Sequence, residues 1–207
     1  MDKKTRFKRN THVLFWHNMA DELHHATKVL EEDINHHRIH FKDIGVDVKY
    51  PVVSGSYMLL AAYSLENLIK AILLIEFPEF QTEENLDKKL YTHDLVILAN
   101  KSTYIKLSKV EIKILEMMTR ASVYNARYPI PRHFSGVRDR EFIDQEFVDT
   151  YKNLFVRLRD ILSSISNSGY EDEKGNKRPR MVVKEEDGYF DESISEQLRK
   201  SKEKKEK

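Results

Sequence analysis

Residues 54–77, SGSYMLLAAYSLENLIKAILLIEF, are apolar on nearly every side of the helix they would form. A helix without a polar face must be surrounded, either by lipid or by the rest of its own domain. Glu66, Asn67 and Lys70 fall at the middle of the stretch. A charge at that depth in a bilayer costs roughly 2.5–3.5 kcal/mol on insertion scales, so the segment reads as the central helix of a domain and not as a membrane span. It should run from about Ser56 to Phe77, bury Leu60, Leu68 and Ile72, and end at Pro78. Glu66 and Lys70 are spaced i, i+4 with the acid first, the favourable order for a helical pair. Burial of such a pair requires each charge to satisfy the other. It either fixes helix register or faces a site.

The surrounding layers should also be helical. Trp16, Met19, Leu23, Ala26, Leu30 and Ile34 recur at steps of three and four, which predicts one amphipathic helix from about Thr11 to Phe41, broken by Gly45 and Pro51. THDLVILAN reads as a short helix with Thr92 as N-cap. SKVEIKILEMMTRASVYNA opens on Ser108 and Glu111, the spacing of a capping box, and carries Val110, Ile114, Met117 or Met118, and Ala121 on one face. A last helix should start near Asp139 and reach about Ile165, with Ile143, Phe147, Tyr151, Leu154, Leu158, Ile161 and Ile165 as its buried stripe and Gly169 at its end. The fold class is therefore all-α, a four- to five-helix bundle over residues 11–166. A basic arm, residues 1–10, precedes it. From residue 167 the chain is charged and poor in apolar residues, which predicts a flexible, largely disordered tail. Within it, Asp187-Gly188 could turn a short hairpin.

Several functions are excluded by what is missing. With no cysteine, disulfides, thiolate zinc sites and cysteine catalysis are impossible, and a reducing cytoplasm is the compatible setting. A net charge of +1 gives no global field for nucleic acid or membrane. The basic N-terminus lacks the apolar region of a signal peptide. Neither G-x-S-x-G nor H-E-x-x-H occurs, and SGS at 54–56 is a helix start without a preceding strand. Histidines 12, 17, 24, 25, 36, 37 and 40 crowd the first helix, but only His36 and His40 have the spacing to share an ion. Adding Glu32 stretches the set over roughly 12 Å of helix, too long for one metal. These histidines are expected on a solvated face or a subunit contact. No metal and no cofactor is expected.

RYPIPRH, residues 127–133, begins the best local positive patch in the folded part of the chain. Arg127, Arg132, His133, Arg138 and Arg140 lie within fourteen residues between two helical patterns. Guanidinium forks match phosphate, and imidazole moves protons near neutral pH. His93-Asp94 opens the short helix. Asp94 suits a cap, and His93 could enter a shared cleft.

Taken in order, SYMLLAAYSLENLIKAILL, THDLVILA and YNARYPIPR before a long final helix resemble the HEPN superfamily of helical domains. The likeness covers residues 11–166. It implies a compact bundle and a homodimer. It also implies action on RNA in a prokaryotic defence or stress system of the toxin–antitoxin or abortive-infection kind, with an antitoxin or effector protein as partner. Catalytic members carry an arginine, four to six residues, then a histidine, and Arg127 and His133 enclose five. The resemblance then implies a metal-independent endoribonuclease that leaves a 2′,3′-cyclic phosphate. Arg127 and His133 would be catalytic, Arg132, Arg138 and Arg140 would bind phosphate, and Glu66, Lys70 and Tyr124 would be supporting polar groups. Tyr128 stands where active members have a polar residue, and Pro129 and Pro131 hold the motif out of helix. A non-catalytic domain for dimerisation, or for binding RNA, a nucleotide or a partner protein, is the alternative.

Overall fold

The computed structural model describes Lys3, Phe7 and residues 11–34, 36, 38–41, 48–82, 84–125 and 143–167. Outside them lie the N-terminal arm apart from Lys3 and Phe7, the segment 126–142, and everything from residue 168, including the charged tail.

The described residues form an all-α bundle around one helix. They comprise α1 (Val13–Asp33), strands β1 (Arg38–Phe41) and β2 (Val48–Pro51), α2 (Ser54–Glu76), α3 (Leu95–Ala99), α4 (Lys109–Arg120) with a π-helical turn (Ala121–Asn125), and α5 (Gln145–Asn167). Fifteen of the 23 residues of α2 are buried, more than a single amphipathic face could supply. The helix is covered by α1, α3, α4, the π turn and α5. It is long and apolar enough to cross a membrane, yet 72% of its most apolar window is buried within the protein. Leu68 and Ile72 are fully buried, as the sequence predicts, whereas Leu60 is only half-buried. Pro78 stops the helix by opening a 3-10 turn over Pro78–Phe80, and Phe77 stacks on Phe80 with ring centroids 5.0 Å apart.

α1 departs from expectation twice. It ends at Asp33, and the residues expected to continue it pair antiparallel with the next strand, Arg38 opposite Pro51 and Phe41 opposite Val48. Arg-Ile-His-Phe and Val-Lys-Tyr alternate in polarity with a period of two, a strand signal too short to stand out against the helical stripe before it. His36 and His40 thus share no helix. The stripe that α1 buries is also rotated by one residue. Val13, His17, Ala20, His24 and Thr27 are buried, while Trp16, Leu30 and Ile34 only flank the core and Met19 is 46% exposed.

The remaining elements follow local rules. Asp94, not Thr92, caps α3: Ile97 N–H donates to Asp94 Oδ1 at 2.9 Å, and Thr92 Oγ1 accepts from Asp94 N–H one step earlier. Ser108 and Glu111 form the capping box of α4 in both directions, at 3.2 and 2.7 Å. Ile114, Met118 and Ala121 are buried there, but Val110, in the first turn, is exposed. Asp144 caps α5 by accepting from Phe147 N–H at 2.8 Å. Ile143, Phe147, Tyr151, Leu154 and Leu158 are buried, and Ile161 and Ile165 pack at the margin. Lys152–Glu31 and Arg157–Glu111 ion pairs join α5 to α1 and to the start of α4.

Candidate functional site

Two polar groups deep in α2 define the site. Glu66 and Lys70 are both buried, and Lys70 Nζ donates to Glu66 Oε1 at 2.6 Å. The ammonium also lies 5.7 Å from the centre of the Trp16 ring of α1, a face that attracts a desolvated cation. Trp16 is held by its own Nε1–H, which donates to the Thr11 carbonyl at 3.2 Å.

The second partner of Glu66 comes from outside the helix. His93 Nδ1 lies 3.0 Å from Oε2 and 3.2 Å from Oε1. A carboxylate only accepts, so Nδ1 carries the proton and the Nε2 lone pair points away from Glu66. The imidazole is 48% exposed while the carboxylate beneath it is 8% exposed. Tyr63, one turn earlier on α2, meets the imidazole edge-on at 6.4 Å. The pair therefore bridges interior and surface.

Thr119 sets where this turn sits. Its hydroxyl accepts from Leu95 N–H at 3.1 Å and donates to the Leu115 carbonyl at 2.8 Å. Its carbonyl accepts from Ser122 Oγ at 3.0 Å, and Ser122 belongs to the π turn that packs against α2. π turns of this kind are frequent at functional sites. One residue thus ties the His93 turn to the element that leads toward residue 126. Ile143, the next described residue, is buried.

Of the residues singled out in the sequence, Glu66 and Lys70 are brought together as a buried pair. Tyr124 lies in the π turn, with only its main chain described. Arg127, Arg132, His133, Arg138 and Arg140 lie outside the described residues. His93 is the functional candidate that pattern reading valued least. Its neighbour Asp94 explains the local sequence as a cap, and nothing local announces a partner 27 residues away.

A second polar cluster is buried beneath α1, against the expectation of a solvated histidine face. His24 Nδ1 lies 2.8 Å from the Tyr151 hydroxyl, which also meets Ser64 Oγ at 2.9 Å and Thr27 Oγ1 at 3.3 Å. Thr27 and Ser64 donate their own protons to the carbonyls of His24 and Ala61. The His24 ring stacks on Phe155 at 3.7 Å. Burial, helped by Lys28, pushes the His24 imidazole down to about 4. His17 is held down as well, because burial outweighs the attraction of Asp21. Buried and joined through the Tyr151 hydroxyl, with a neutral His24, this cluster is a packing device. Among the described residues no group of three or more His, Asp or Glu side chains is placed to hold a metal ion.

Compared with models of known families, with curated proteins and with solved structures, the chain finds no match.

Proposed function

We propose that the chain is a HEPN-like, RNA-acting domain that cleaves RNA without a metal ion, in a prokaryotic defence or stress system. The observation that carries this reading is the link through Thr119. It joins the buried Glu66–Lys70 pair and its surface imidazole to the π turn from which the arginine-rich segment departs. In this reading Arg127 stabilises charge on the phosphate. His133 moves a proton at the ribose 2′-hydroxyl or the leaving oxygen. Arg132, Arg138 and Arg140 hold flanking phosphates, and Glu66, Lys70 and Tyr124 support them. The product is a 2′,3′-cyclic phosphate. The test is cleavage of labelled single-stranded RNA in EDTA. His133→Ala and Arg127→Ala should each lose at least about a hundredfold, the lower end of what a proton-transfer group supplies. Equal cutting by wild type and His133→Ala overturns the assignment.

One observation favours the alternative, a non-catalytic domain that dimerises or binds a partner. Phe15, Met19 and Val29 are 44%, 46% and 56% exposed, and their spacing puts all three on one face of α1. Binding of RNA by both wild type and His133→Ala with cleavage by neither would select that alternative.

A further inference from the structure

Glu66 and His93 together form more than a satisfied hydrogen bond. A carboxylate that needed only neutralising already has Lys70 at 2.6 Å. It also accepts from an imidazole that stands half in solvent, where water could serve the ring as well. The consequence of this extra bond falls on His93. It fixes the Nδ1–H tautomer and aims Nε2 outward, and Nε2 makes no hydrogen bond to a described residue. Two separate anchors hold the ring's turn, the Asp94 cap and the Leu95–Thr119 bond. Such preorganisation suits a general base.

We infer that His93 is the general base for RNA cleavage, with Glu66 as its positioning residue and Lys70 fixing Glu66. This rests on the RNA-cleaving function proposed above. His93 Nε2 takes the proton of a ribose 2′-hydroxyl as its oxygen bonds to the adjacent phosphorus. The P–O5′ bond breaks, and the departing 5′-oxygen takes a proton from water or from an imidazolium acid. Bonds and protons balance: one P–O bond forms, one breaks, and the cyclic phosphate and the 5′-hydroxyl are the products.

The discriminating variant is His93→Asn. The asparagine amide can still donate to Glu66 where Nδ1 does, so a purely structural role survives it, but it cannot take up a proton. The full chain is assayed in EDTA on a short single-stranded RNA. A second substrate carries sulfur in place of the 5′-bridging oxygen, a leaving group that needs no acid. His93→Asn should keep the wild-type thermal midpoint and lose at least about a hundredfold in kcat on both substrates. Added imidazole should restore part of the activity of His93→Ala. Three results overturn the inference. If His93→Asn cuts within about threefold of wild type while His133→Ala is inactive, His93 is only structural and RNA cleavage stands. A loss confined to the oxygen substrate makes His93 the acid. A wild-type chain that does not cut removes the inference and the proposed function together.

Discussion

At the scale of single residues, charge and burial decide what each side chain can do. Lys70→Met leaves Glu66 buried with only the His93 contact. Breaking a buried pair costs about 3–5 kcal/mol, and the remaining imidazole should hold the loss near about 2–3 kcal/mol. Glu66→Leu together with Lys70→Met removes both charges, and stability should return to within about 1 kcal/mol of wild type. Urea unfolding of Lys70→Met, Glu66→Leu and the double variant reads the coupling directly, and additive losses would show that the pair carries no mutual stabilisation. His24 makes a different prediction. Its imidazole is neutral in the folded chain down to about 4, against 6.5 when unfolded. The unfolded chain therefore binds the proton first. Stability present above pH 6.5 is lost as pH falls to about 4, by at most about 3 kcal/mol. His24→Leu should flatten that part of the stability–pH curve, whatever it costs at pH 7. An unchanged slope between pH 7 and 4 would place the acid sensitivity elsewhere.

At the scale of elements, legibility followed the range of the interaction that decides the structure. α2 was readable because its own composition demands burial on every side. The α4 capping box was readable because Ser108 and Glu111 are three residues apart, and the α5 stripe because seven apolar positions repeat a single period. α1 was readable as a helix but not in its facing. Its apolar stripe through Met19 and Leu23 looked like the core side, yet the helix turns His24 and Thr27 inward. The reason is Tyr151, 127 residues from His24, whose hydroxyl turns two polar side chains into acceptable core residues. The end of α1 is hidden from the sequence for a related reason. β1 exists only because β2 lies opposite it, and four alternating residues do not declare a strand on their own. In the candidate site the same rule separates the Glu66–Lys70 pair, visible at i, i+4, from His93, whose role depends on a long-range contact.

At the scale of the whole molecule, acidic and basic residues nearly cancel, leaving +1 over 207 residues. A chain so balanced cannot draw RNA by its overall field, and at physiological salt charges are screened beyond about 8 Å. Any affinity for RNA must then come from few cations placed close together. Arg127, Arg132, Arg138 and Arg140 are the densest such set between helical patterns. Each phosphate neutralised on a single strand contributes a slope of about −0.7 to the plot of log affinity against log salt. Four arginines therefore predict a total slope of about −3, and Arg138→Ala should bring it about 0.7 closer to zero. Fluorescence anisotropy of a labelled single-stranded RNA over a salt series measures both. A slope of about −7 or steeper would mean at least twice as many phosphates are engaged, which this segment cannot supply, and the RNA surface would have to be sought on another face. A slope near zero would remove phosphate contact altogether, and with it the physical basis for assigning these arginines to RNA.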